Sequence, residues 1–352
     1  MASLIWFLLI FSVVVISHEF GHYIIARASG IHVLEFYVGF GPTLFHFEKG
    51  GTKYSWKLLP LGGACVFEGQ DGLALEAGEE PGEGSFLKAS PWSRLATVLA
   101  GPLFNVILGF LLAFLMICQI AVRDPVATEV LPGSAAEEAG LQAGDRILAM
   151  NGNRVCLYED ITLYNLTSDG GEILLAYERD GVRQVTTITP KYDPQYGRYM
   201  LGISNADFVE LKGTDYFKYA WYEVRYNFKA TYASLRMLFH GKVERQDVAG
   251  PVGIAVNVVG KTYEEASAYG MSTVVVNMLN IALMLTINLG ILNLLPIPAL
   301  DGGRLVFILL EILRGKPVPP EKEGMVHFIG MMFFMVLVVI VFFNDLRNIF
   351  GW

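Results

Sequence analysis

Charge is scarce in this sequence. Only 17% of its 352 residues are Asp, Glu, Lys or Arg, where a soluble domain carries about 25%. Basic residues are the rarer kind: 26 Lys and Arg face 34 Asp and Glu, a net charge of -8 with no basic run, which excludes the electrostatic footprint of a nucleic-acid-binding protein. Cysteine is rare too. Cys65, Cys118 and Cys156 are widely spaced and form no C-x-x-C pair, so neither a disulfide framework nor a thiolate zinc site is indicated. Hydrophobic residues fill the place of charge, at 53% of the chain with a mean hydropathy of +0.44. The balance is that of an integral membrane protein carrying a soluble insert.

Four stretches are long and apolar enough to be spans: 1–27, 92–122, 271–303 and 325–345. The first has no positively charged leader and no small-residue cleavage site, so it is expected to stay in the membrane rather than be removed. Between the spans lie segments 28–91 and 304–324, an insert at 123–206 and a linker at 207–270, with 346–352 as a tail. Arg27, Lys88 and Arg94 flank the first loop, and Arg304, Arg314, Lys316 and Lys322 crowd the third. By the positive-inside rule both loops are cytoplasmic, which puts the termini and the insert on the extracytoplasmic side of a cytoplasmic (inner) membrane.

Within the first span stands His18-Glu19-Phe20-Gly21-His22. On a helix an H-E-x-x-H sequence sets two imidazoles one turn apart on one face with a carboxylate beside them, the layout of two zinc ligands and a general base. Ionisable groups in hydrocarbon are costly unless they pair or bind something, so this context favours a metal site over a chance match. A catalytic zinc needs a third protein ligand and an open position. The metzincin continuation fails, because the sixth residue after His22 is Ala28. Glu35 and Glu48 are conceivable. Asp301 is the stronger candidate, in Asn293-Leu294-Leu295-Pro296-Ile297-Pro298-Ala299-Leu300-Asp301-Gly302-Gly303. Two prolines break the helix there, two glycines permit unusual dihedrals, and unwound backbone at membrane depth survives only where it lines a site.

HEFGH in the first span, Gly101-Pro102-Leu103-Phe104-Asn105 in the second and NLLPIPALDGG in the third resemble, in this order, the site-2 protease family of intramembrane zinc metalloproteases, in its bacterial RseP/RasP-type branch. The resemblance covers nearly the whole chain. It implies that His18, His22 and Asp301 bind Zn2+, that Glu19 activates water, and that Asn288 and Asn293 hold an extended substrate backbone. It also implies peptide hydrolysis in the transmembrane segment of single-pass proteins, anti-sigma factors or signal-peptide remnants among them, after another protease has trimmed the ectodomain. The family member best known from gammaproteobacteria carries two PDZ domains, and this chain has room for one.

The fold expected is thus a polytopic α-helical membrane protein with four transmembrane helices, a small membrane-associated β-hairpin region and one inserted PDZ-like α/β domain. Tyr54 to Phe67 carries the strand signal, broken at Gly62-Gly63; the resemblance implies a hairpin whose edge pairs with substrate. Gly69 to Gly84 reads as an acidic loop. In the insert, Leu131-Pro132-Gly133-Ser134 and Ala143-Gly144-Asp145 resemble a circularly permuted PDZ domain, with Asp180-Gly181 a hairpin turn. In that order Leu201, Gly202 and Ile203 take the place of the carboxylate-binding loop, although a PDZ that only filters substrates by size needs no such loop. Phe217, Trp221, Val224, Phe228, Tyr232, Leu235 and Phe239 recur at helical spacing with Lys218, Arg225, Lys229 and Arg236 off the stripe, which suits a helix in the headgroup region or one packed on the insert. Gly250-Pro251-Val252-Gly253 reads only as a turn. His32, His46, His240 and His327 stand alone and are assigned no catalytic part.

Two other classes compete. A non-catalytic scaffold with a structural metal would lack Glu19 or the open position, and Glu19 is present. A metal transporter would need polar residues along several spans, and the second and fourth offer almost none.

Overall fold

The computed structural model describes residues 2–69, 82–204, 208–243, 245 and 248–351, so most of the expected acidic loop lies outside the described residues. Two units emerge, one made of Met1–Leu112 with Val243–Trp352 and the other of Ala113–Lys242.

The first unit is built on helices. Four are long and apolar enough to cross a membrane, with mean hydropathies between 2.0 and 2.8. They are α1 (Ala2–Ala28), α2 (Pro91–Ile117, ending in the second unit), α8 (Met271–Asn293) and α10 (Pro320–Phe350). Side chains such as Phe328, Phe333 and Val336 of α10 point outward, as expected where hydrocarbon is the solvent. Between α1 and α2, β1 (Val33–Lys49) and β2 (Thr52–Phe67) form an antiparallel pair joined at Gly50-Gly51, both at positive φ. The expected break at Gly62-Gly63 is not the turn. It is an irregularity inside β2, where the register shifts and Gly62 takes φ +86°.

The expected third span also divides. The helix ends at Asn293, Leu294–Leu300 are non-helical, and α9 (Asp301–Arg314) follows. Residues 304–314, expected as loop, are therefore helical. Leu305 and Ile308 of α9 are buried, and Arg94 of α2 meets Glu311 of α9 at 2.5 Å as a largely buried ion pair. Before α8, α6 (Pro251–Gly253), a π-helical segment (Ile254–Gly260) and α7 (Lys261–Ser267) form one helical run where the sequence suggested only a turn. Asp345 of α10 caps it: its two carboxylate oxygens accept from the N–H groups of Gly250 and Gly253, each at 2.8 Å.

The second unit is an α/β insert. Its main sheet has the order β5-β4-β6-β7, from β4 (Arg146–Met150), β5 (Asn153–Arg154), β6 (Ile173–Arg179) and β7 (Val182–Ile188). The β6–β7 turn at Asp180-Gly181 has both residues at positive φ, as a tight hairpin requires. The short strands β3 (Glu129–Val130) and β10 (Ile203–Ser204) pair, as do β8 (Lys191–Asp193) and β9 (Arg198–Met200). Ile147, Ile161, Ile173, Leu175 and Leu201 fill the core beside α3 (Ala135–Glu138) and α4 (Tyr158–Thr167).

The amphipathic helix is α5 (Asp215–Phe239), and it packs on this insert. Arg225 and Lys229 both donate to the carbonyl of Arg154, and Lys229 pairs with Asp160 at 2.6 Å. Of the aromatic and apolar stripe only Val224 is buried, while Phe217, Trp221, Tyr232 and Phe239 stay exposed. Two of the four off-stripe basic residues, Arg225 and Lys229, thus face protein, while Lys218 and Arg236 are exposed.

Candidate metal centre

Three ligand atoms converge inside the first unit. The Nε2 atoms of His18 and His22 lie 3.2 Å apart, and Oδ2 of Asp301 stands 3.1 Å from the first and 3.2 Å from the second. Both histidines are buried, at 5% and 6% exposure. Ligands about 2.0–2.1 Å from a tetrahedral zinc are about 3.3 Å from one another, so the triangle has the edge length of such a site. Asp301 Oδ2 is buried with no hydrogen-bond donor of its own. Two imidazole nitrogens and an acidic oxygen in this arrangement form a donor set that suits zinc.

Local structure explains the convergence. The histidines sit one helical turn apart on α1, which brings them to one face. Asp301 is the first residue of α9, delivered by the unwound segment Leu294–Leu300. That segment folds back tightly: a Cβ on Gly302 would come within 2.0 Å of the Leu295 carbonyl oxygen, and one on Gly303 within 2.6 Å of that of Ile297. Helix α2 closes the centre from the other side. A Cβ on Gly101 would fall 2.3 Å from His22 Nε2, so the missing side chain leaves the space in which an ion would lie. One turn of α1 is likewise pressed to α2 at Gly21, where a Cβ would meet the Ala100 carbonyl at 2.4 Å.

The far sides of both rings are also held. The carbonyl of Thr97 lies 2.8 Å from His22 Nδ1, so Nδ1–H donates there and leaves the Nε2 lone pair for a metal. At His18 the partner is the side-chain amide of Asn105, 3.3 Å from Nδ1. The Asn105 amide can present either its nitrogen or its oxygen to the ring. With Oδ1 turned to the ring, the otherwise orphaned Asn105 Oδ1 is satisfied and His18 presents Nε2 in the same way. Thr286 of α8 donates to the Asn105 carbonyl at 3.2 Å, tying α2 to α8 at this depth.

Glu19 follows His18 on α1 and turns toward β2. Its carboxylate accepts a hydrogen bond from the Cys65 backbone, and a Cβ on Gly63 would touch its Cγ at 3.4 Å. Asn293 is brought to the centre, with its amide 3.1 Å from His18 Nε2. Asn288, five residues earlier on α8, is half-buried. The two alternative carboxylates are elsewhere: Glu35 accepts from Ser55 and faces Lys53, and Glu48 is exposed on β1.

Leu201, Gly202 and Ile203 lie in the insert at the start of β10. All three are buried, their carbonyls accept from Ala136, Leu131 and Tyr158, and Ile203 pairs with Val130. Of the lone histidines, His32 pairs with Glu68, His46 is exposed on β1, His240 ends α5, and His327 lies against Ala299. In the sequence, Gly101-Pro102 and Asn105 mark a kink or close packing of the second span against a neighbour, without saying which neighbour. The signal was there, since a polar residue and a glycine in an apolar helix both ask for a neighbour.

Comparison with known proteins gives concordant results. The model of peptidase family M50 matches residues 6–337. The chain is 32% identical to the zinc metalloprotease RasP of Geobacillus kaustophilus, over 99% of this chain and 98% of that protein. It is 32% identical to the zinc metalloprotease RasP of Shouchella clausii over the full length of both. To the regulator of sigma-W protease RasP of Bacillus subtilis it is 29% identical, over 99% of each.

Proposed function

From the premise that this chain belongs to peptidase family M50, we propose that it cuts peptide bonds within or near the transmembrane segment of single-pass membrane proteins. The chain is a zinc metalloprotease of the site-2 type and a membrane protein, and zinc is its cofactor. The observation that supports the finer reading is the triangle of His18, His22 and Asp301 beside Glu19, carried on helices long and apolar enough to span a bilayer.

Bound by His18, His22 and Asp301, zinc supplies Lewis acidity toward water and toward the scissile carbonyl. Glu19 takes the proton from the attacking water and delivers it to the leaving amine. Its neighbour, the 63–67 end of β2, pairs with 33–38 of β1 on one side and among the described residues has no strand on the other. A transmembrane helix hides its carbonyls in its own ladder, so the substrate must unwind before attack. Strand addition at this hairpin would hold the unwound segment, with the Asn293 amide, and that of Asn288 after a rearrangement, offering hydrogen bonds to the freed backbone. Association of the hairpin with the membrane surface fits its exposed Phe40, Phe45, Trp56 and Leu58.

The insert is read as one circularly permuted PDZ domain. With Leu201–Ile203 buried, a filter that admits only substrates with trimmed ectodomains suits it better than capture of peptide termini. The termini and the insert are assigned to the extracytoplasmic side and the metal centre to the cytoplasmic end of α1. Anti-sigma factors and signal-peptide remnants are the substrate classes to try first; the name of the Bacillus subtilis relative points to sigma regulation in that organism.

Purified detergent-solubilised enzyme with Glu19→Gln is expected to keep zinc and lose all cleavage of a single-span substrate. Full activity in that variant would reject the mechanism, and a zinc-loaded wild type that cleaves nothing would favour a PDZ-bearing scaffold with a structural metal.

A further inference from the structure

The non-helical segment Leu294–Leu300 delivers Asp301, and its backbone is strained at one residue. Ala299 sits at φ +78°. The other positive-φ non-glycine residues described, Asn151 and Asp180, are types that tolerate this region. Alanine has no polar side chain to stabilise the conformation locally, so something outside the segment must hold it.

Helix α10 touches the segment at this point. Nδ1 of His327 accepts the Ala299 N–H at 3.1 Å. The ring is buried at 8% exposure, stands 5.7 Å from the ring of Phe307, and has Nε2 4.0 Å from Glu323 one turn away. Three residues further along the same face, α10 closes directly on Pro298: a Cβ on Gly330 would meet Pro298 Cβ at 2.3 Å and its carbonyl oxygen at 2.9 Å. The glycine permits the approach and the histidine uses it.

We infer that His327 and Gly330 form a latch through which α10 holds Ala299 in its left-handed conformation and thereby fixes Asp301, two residues on, in the metal triangle. His327 touches neither the triangle nor any reacting atom; it is a positioning residue. The inference rests on Asp301 being a zinc ligand. Orientation of ligands by outer groups is worth about 10- to 100-fold in metal affinity in other sites.

The test uses the full-length, zinc-loaded enzyme in detergent with His327→Leu, His327→Asn and His327→Gln. An Asn carbonyl stands where Nδ1 does, whereas a Gln carbonyl stands nearer the place of Nε2. Zinc loss to an excess of chelator is followed together with kcat and KM. The Leu and Gln variants are expected to lose zinc about tenfold faster, with kcat lowered and KM little changed, while Asn stays close to wild type. Adding Ala299→Gly to the Leu variant relieves the strain and should recover most of the loss. If zinc loss from the Leu variant is as slow as from wild type, or if Asn fares no better than Gln, the latch is overturned. Should the Leu variant fail to fold, the Asn and Gln pair alone decides. Asp301→Ala separates the two ideas: zinc retained in that variant sinks the ligand reading, whereas zinc lost there with His327 variants unaffected sinks only the latch.

Discussion

Gly101 of α2 lies against His22 of α1 so closely that a single methyl group on the glycine would fall 2.3 Å from Nε2, one of the three candidate ligand atoms. The helix crossing at Gly21 and Ala100 leaves the two backbones no slack to absorb it. The site therefore depends on an atom that is missing as much as on the three that are present.

Gly101→Ala is accordingly expected to strip zinc from the protein while leaving the rest of the fold in place. Elemental analysis of the purified variant should give well under half the wild-type zinc content, and cleavage should fall in proportion. Wild-type zinc content in this variant would show that α2 can move aside, against the backbone contact at Gly21.

Asn105 offers a second check. Its amide stands 3.3 Å from His18 Nδ1, and with the oxygen turned to the ring it would fix which ring nitrogen is free. Asn105→Leu should weaken zinc binding by about 10- to 100-fold, measured by competition with a chelator of known affinity. Asn105→Asp keeps an acceptor and should bind zinc far better than Leu. Equal affinity in the two variants would remove Asn105 from this role.

Which of these features the sequence exposed follows from how local each one is. His18 and His22 were legible because four residues make one helical turn, and Asp301 because two prolines and two glycines interrupt an apolar run. The clearance at Gly101 and the support from Asn105 depend on a crossing of helices that no periodicity encodes. Helix α9 escaped notice because Arg304, Glu311 and Arg314 made it look like loop, although Leu305 and Ile308 are buried at helical spacing. The segment after Gly250 read as a turn because its cap, Asp345, stands 95 residues away. In α5 the composition showed an amphipathic helix, but which face meets protein was decided by Arg154 and Asp160, partners in another element.

Glu223 of α5 gives the insert a pH dependence. Burial pushes its carboxyl from an ordinary 4.5 up to about 8, with Glu159 and then Asp160 adding to the effect. Folding therefore takes up a proton between those values, so stability falls as pH rises from about 5 to about 8 and levels off above, by on the order of 3–4 kcal/mol. Glu223→Gln stays neutral throughout. In thermal unfolding of the full chain it should match wild type near pH 5 and melt several degrees higher near pH 8.5. Parallel profiles for the two proteins would rule Glu223 out as the source.

Asp345 is the cap on the helical run that begins at Pro251, and it is 1% exposed. The first N–H groups of a helix have no partner inside it, and here two of the amides around this start, those of Gly250 and Gly253, are satisfied by one side chain from α10. Neighbouring Asn344 adds bonds to the carbonyls of Arg245 and Val248, which hold the approach to the helix. Asp345→Ala leaves two buried donors unmet at about 1–3 kcal/mol each, so the run 251–267 should loosen first. Gly253→Ala should do the same by another route, since its Cβ would fall 2.6 Å from Asp345 Oδ1. Hydrogen exchange is the measurement: amides at 250–260 should exchange faster in both variants while those around His18 and His22 keep their protection. Unchanged exchange at 250–260 in Asp345→Ala would mean that water or another group caps the helix as well as this carboxylate does.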